Sequence, residues 1–211
     1  MNHLKHLLFV STLCSLVLCT NCGEDENAVN AARFTGSIGD PYQGGKVLYL
    51  FQEGDAGYVA GEVHGLIAAP DDEIVGAPYS CSNVSGATGT AIGTGAQNTL
   101  DILASCSDDY MAARISADLE IGGYDDWYLP SKDEAWLLYL NCDKIYPWPG
   151  TIFGDVDCGC ATSSQDSDGF WSQRRVYDQI GQPYVQEVVR PNTINKSLSD
   201  FVVTVASIRS F

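Results

Sequence analysis

Two carboxylates stand beside an indole in Asp125-Asp126-Trp127, a group that looks like a site. Paired acids next to a flat ring can hold a sugar or a cation. The same residue types also build turns, because an Asp bonds nearby backbone readily and a Trp fills core while its N–H finds a partner. Structural use of this turn is the favoured expectation, with Asp125 and Asp126 kept as candidate ligand contacts. Tyr128, Trp148, Phe170 and Trp171 are the aromatics that could stack on sugar faces, although aromatics in a domain of this size mostly belong to the core.

Other motifs suggest sharper chemistry and support it less. His64 has no close Ser, Cys or second His to work with, so it reads as a structural hydrogen-bonder and no catalytic residue is expected. Gly89-Thr90-Ala91-Ile92-Gly93-Thr94-Gly95 resembles a phosphate loop, but no Lys follows its last Gly, so tight-turn use is expected instead. Cys158-Gly159-Cys160 is tighter than the zinc spacing and has no second close pair, so no metal ligand set is assigned. Asp155, Asp157, Asp166 and Asp168 offer hard oxygen ligands suited to calcium, without the spacing of an EF-hand. A solvated acidic loop is the favoured reading there, calcium the weaker alternative, and no other cofactor is expected.

Charge limits the partners. The 211 residues carry 11 Lys+Arg against 27 Asp+Glu, a formal net charge of −16. Such a surface repels phosphate backbones and anionic headgroups, so nucleic acid is excluded as a partner. At the start, Lys5 and His6 precede an apolar run of thirteen residues, Leu7 to Cys19. A membrane-crossing helix needs about 20 residues, so this run fits an export signal. It leads into Asn21-Cys22-Gly23 and the acidic Glu24-Asp25-Glu26, a pattern similar to a bacterial lipoprotein signal with Cys22 as the lipidated residue. The expected layout is a signal over 1–21, a flexible tether over 22–33 and one domain over 34–211.

Export permits disulfides among Cys81, Cys106, Cys142, Cys158 and Cys160. Cys81 and Cys106 flank a Gly-rich segment and a helix candidate, and are expected to pair, closing a loop worth about 3 kcal/mol. Cys142 is left to pair with Cys158 or Cys160.

These residues need elements to position them. Strands are expected over 46–51, 64–70, 169–172, 184–189 and 201–206. One helix is expected to be capped by Asn98 or Thr99 with Leu100, Ile102 and Leu103 inward, and another to run from about Asp108 to Leu119. The clearest local signal is Pro130-Ser131-Lys132-Asp133-Glu134, where Ser131 and Glu134 form a capping box. Early helices and late antiparallel strands give an α+β class.

Five segments together resemble one family, the Lcl C-terminal domain family, named from a collagen-like bacterial adhesin. They are His64-Gly65-Leu66-Ile67-Ala68-Ala69-Pro70, the stretch Gly89 to Thr99, the stretch Gly122 to Glu134, and Phe170-Trp171-Ser172 with the terminal Ile208-Arg209-Ser210-Phe211. The resemblance covers about residues 44–211 and implies a C-type-lectin-like fold, two main helices flanking a twisted, mostly antiparallel sheet. It also implies an exported envelope protein, often a lipoprotein, with adhesion or glycan binding. The chain departs from the family at Ser116, where many relatives have Cys, and at Ala206-Ser207, where Arg-Pro is usual. It departs again at Arg174 and Arg175, which replace a polar Ser-rich loop and, with Arg190, supply the candidate basic patch for an anionic glycan.

The expectation is therefore a non-enzymatic, lipid-anchored module with a glycan or surface-protein ligand, in the outer membrane because Gly23 rather than Asp follows Cys22. Its candidate contacts are Asp125, Asp126, Trp171, Arg174 and Arg175. The alternatives are an oxidase related by fold to formylglycine-generating enzymes, using Cys158 and Cys160, and an envelope scaffold without a small ligand. Nothing in the sequence indicates the oligomeric state.

Overall fold

A computed structural model describes residues 36–79, 86–146, 160–165, 170–172, 175–177, 183–185, 188–189 and 202–211, with only the backbone described for 170–189 and 202. The chain divides into two units, Met1–Arg33 and Phe34–Phe211, and every described residue falls in the second. In chain order the strands β1 to β4 are Pro41–Tyr42, Gly45–Leu50, Gly65–Ala68 and Val75–Pro78. The helices α1 to α4 follow, Gly95–Ser105, Ala112–Ala117, Lys132–Leu140 and Cys142–Ile145. Then come β5 to β11, Ala161–Gln165, Phe170–Ser172, Arg175–Tyr177, Pro183–Val185, Val188–Val189, Val202–Val205 and Ile208–Ser210.

The result is a mixed helix and antiparallel-sheet structure of α+β class. The sheet orders are β1-β2-β3-β11, β10-β4, β5-β6-β9 and β7-β8, every pair antiparallel. β3 explains why its sequence is a continuous apolar run. Leu66 and Ala68 pack on one side with Leu48, Leu138, Ile145 and Ile208, while Ile67 and Ala69 pack on the other with Trp127. A strand covered on both faces cannot alternate apolar with polar residues.

The β1–β2 hairpin turns on Gln43 and Gly44, at φ 44° and 87°. Two positive φ values suit the right-handed strand twist and favour Asn-Gly or Gly-Gly, so Gln43 sits in a conformation that costs a non-glycine residue. Two strands before the first helix, Gly45–Leu50 and Gly65–Ala68, match the runs expected over 46–51 and 64–70, while β1 and β4 are strands that the sequence reading did not include.

Two helix expectations are corrected. α1 begins at Gly95 with Thr94 before it, not at Asn98 or Thr99, both of which are buried inside the helix. Leu100 is 57% exposed while Ile102 is fully buried, because residues two apart on a helix lie about 200° around its axis and cannot both face inward. α2 spans only Ala112–Ala117, shorter than 108–119, with Met111 buried just before it. The capping box is present as read: Ser131 Oγ accepts from the Glu134 N–H at 3.4 Å, and the Ser131 N–H donates to Glu134 Oε2 at 2.7 Å.

Candidate functional site: a clamped loop face

Glu134 does more than close a helix end. Its carboxylate is fully buried, and Oε1 accepts the main-chain N–H of Gly93 at 2.8 Å and the hydroxyl of Tyr128 at 3.3 Å. Burial raises its pKa above the ordinary carboxyl value, against the pull of the donors from Ser131, Gly93 and Tyr128. The positive end of α3 adds to those donors. Gly95 is required here because a Cβ would collide with Glu134 Oε2 and come within 2.8 Å of the Ser131 nitrogen.

The rest of the Gly-rich loop is fastened from three elements. From α1, Asn98 donates to the Gly89 carbonyl at 2.6 Å and accepts from its N–H at 3.1 Å, as a strand partner would. From β5, Ser164 Oγ donates to the same carbonyl at 2.5 Å and accepts from the Lys132 N–H at 2.8 Å. From the start of α3, the Asp133 N–H donates to Thr90 O at 2.9 Å and Ser131 Oγ to Ala91 O at 2.9 Å. Thr90, Ala91 and Gly93 remain exposed above these anchors.

A second loop borders the first. Residues 51–64 connect β2 to β3, and Ala56 lies so close to Gly93 that a Cβ there would be 2.7 Å from the Ala56 Cβ. Asp55 Oδ2 accepts the Tyr49 hydroxyl at 2.8 Å and the Gln52 N–H at 2.7 Å, fixing the near end of the loop. Burial, then the Asp55 carboxylate, pushes the Tyr49 pKa up to about 12. At the far end, the His64 ring contacts the Phe211 carbonyl at 3.1 Å and Glu62 Oε2 at 2.9 Å. The Glu62 hydrogen bond, then that to Phe211, raises the His64 pKa. Between these fixed ends, Tyr58, Val59 and Val63 are 39%, 44% and 58% exposed.

The acidic pair of the sequence separates. Asp126 forms a two-pronged ion pair with Arg209, at 2.5 Å to Nε and 3.0 Å to Nη2. Arg209 also donates to Gln43 Oε1 at 2.6 Å and lies 4.1 Å above the Tyr124 ring. Its partner at Gln43 thus helps hold that residue in its unfavourable turn. Asp125 is exposed. Trp127 is buried, donating its indole N–H to Tyr124 O at 3.0 Å. Tyr128, one of the aromatics that could stack on a sugar face, is buried beside Glu134, in line with the core use expected of most such residues.

Comparison with family models, with curated proteins and with solved structures finds no match to this chain.

Trp171 and Arg175 lie in β6 and β7, with side chains outside the described set. Cys22, Cys81, Trp148, Arg174, Arg190, Cys158 and the four loop aspartates lie outside the described residues. Cys106 and Cys142 are each disulfide-bonded. Cys160 is a buried thiol whose pKa burial pushes up to about 12, so it is not the partner of Cys142. Among the described residues, no group of three or more His, Cys, Asp or Glu is placed to hold a metal ion, and no helix is long and apolar enough to cross a membrane.

The sequence signal for Glu134 was the capping box, which identified one of its two jobs. Its bond to Gly93 spans 41 residues and had no local signature. Tyr58 and Val59 could have been found from a long connection holding apolar residues between two strands.

Proposed function

We propose that this chain is a non-enzymatic binding module of the Lcl C-terminal type, with a C-type-lectin-like fold, exported and lipid-anchored through Cys22 to the outer membrane. Its binding face is formed by the loop at 51–64, the loop at 89–94 and the first turn of α3. The observation that carries this reading is the Glu134 clamp, which holds exposed backbone rigid by a buried carboxylate. Loops fixed before contact lose less entropy on binding, so preorganisation of this kind suits recognition.

Family membership rests on the five resembling segments, and the contacts among those with described side chains are consistent with it. β3 pairs with β11, Tyr128 and Ile208 exchange two backbone hydrogen bonds, and Glu134 joins Gly93. Two departures from the family pattern also meet: Ser207 Oγ donates to Ser116 Oγ at 2.9 Å, with both residues buried.

The ligand is a glycan or a surface protein. Asp126 is engaged by Arg209, which moves weight from the Asp125–Asp126 turn to the loop face. The burial of Cys160 weighs against the thiol-oxidase alternative, which needs an accessible, reactive thiolate. The test is a glycan array and a panel of envelope and host-surface proteins, probed with the full chain and with a Tyr58→Ser, Val59→Ser double variant. The proposal expects signal that the double variant loses. Equal signal from both chains, or none on either panel, contradicts it.

A further inference from the structure

α3 has apolar residues on its outside as well as its inside. Ala135, Leu138 and Tyr139 are buried, while Trp136 is 37% exposed and Leu140 is 56% exposed. Beyond its charged first turn, Lys132-Asp133-Glu134, α3 is apolar on both sides, and a helix segment that is apolar all round normally has both faces covered. Trp136 stacks on Tyr139 with ring centroids 5.0 Å apart and planes within 14° of parallel. Tyr139 is itself only 8% exposed, so its position in the core fixes the orientation of the indole. One indole face is thus backed by a rigid ring.

The surroundings indicate the size and polarity of what would cover the other face. One turn earlier on the helix stand Lys132, partly exposed, and Asp133, exposed. Stable protein interfaces need roughly 800 Å² from each partner and an apolar centre. A single indole followed by Leu140 and preceded by two charged side chains is smaller and more polar at its edge. A pyranose ring has the matching form, with a face of C–H bonds that stacks on an aromatic ring and a rim of hydroxyls for Asp133. Anionic sugars are disfavoured by the −16 net charge.

We infer that Trp136, backed by Tyr139 and flanked by Lys132 and Asp133, is a stacking subsite for one uncharged pyranose residue of a glycan. This rests on the binding reading above and adds a sugar class and a position to it. The site lies on the helix whose first turn borders the loop face, so a chain of several sugar units could touch both.

The test titrates the full chain with cellohexaose, chitohexaose and mannohexaose, using calorimetry, and repeats each titration with Trp136→Ala, Trp136→Phe and Asp133→Asn. The expected result is saturable binding of at least one hexaose, weakened at least tenfold by Trp136→Ala, partly restored by Trp136→Phe and weakened less by Asp133→Asn. A circular dichroism melt shows whether Trp136→Ala remains folded, and Trp136→Phe serves as the folded comparison if it does not. If a hexaose binds with equal affinity to wild type and Trp136→Ala, the subsite is wrong and the binding module stands. If no hexaose binds, the subsite is likewise overturned, and the protein panel then decides the wider reading on its own.

Discussion

Oε1 of Glu134 accepts the main-chain N–H of Gly93 at 2.8 Å, joining the first turn of α3 to the tip of a glycine-rich loop. Oε2 of the same carboxylate accepts the N–H of Ser131 at 2.7 Å. Donors therefore face both oxygens, which a carboxylate satisfies and an amide does not.

Glu134→Gln puts an NH2 group against the N–H of either Ser131 or Gly93. We expect a loss of about 1–3 kcal/mol, the usual cost of leaving a buried donor unsatisfied. Chemical denaturation of the variant beside the wild type measures it, with an unchanged slope expected if only the native state is affected.

The adjacent aspartates should behave differently. Asp126→Asn removes one acceptor from the Arg209 fork and should cost about 1–2 kcal/mol, while Asp125→Asn should stay within about 0.5 kcal/mol. Arg209→Lys should not restore the lost stability, because an ammonium cannot reproduce the two-pronged contact. Thermal melts of the three variants provide the comparison.

The His64 imidazolium is favoured by Glu62 and by the Phe211 carbonyl, so its folded pKa lies above the ordinary 6.5. A group with a raised folded pKa contributes stability that is fully present below its unfolded value and lost as pH rises through the folded one. The imidazole proton resonances, assigned by comparison with His64→Gln, should titrate above 6.5 and move back toward it in Glu62→Gln.

The Cys160 thiol should be inert in the native protein. Iodoacetamide at pH 8 should leave it unmodified until denaturant is added, since the thiolate is the reactive form and burial pushes its pKa up to about 12. Mass spectrometry of the alkylated peptide reads the outcome.

Legibility followed the range of each interaction. The capping box was visible because Ser131 and Glu134 are three residues apart and their roles depend on local backbone geometry. β3 was visible because burial on both faces leaves an unbroken apolar run. The start of α1 was misplaced because Asn98 and Thr99 are favourable caps by type, yet their side chains bond Gly89 and Leu129 instead. The two acids of Asp125-Asp126 were indistinguishable in sequence, and only Arg209, 83 residues from Asp126, separates them. Gln43 and Gly93 depend on such distant partners, Arg209 and Glu134, and no local pattern marks them.

The central claim is that a buried carboxylate keeps the loop face in one arrangement before any ligand arrives. Native-state hydrogen exchange at the Gly93 amide tests this most directly, in wild type and in Glu134→Gln. The account predicts strong protection in the wild type, falling by at least tenfold more in the variant than at amides of β3. Exchange of wild-type Gly93 at the rate of an open surface loop would contradict it, as would equal protection in both chains.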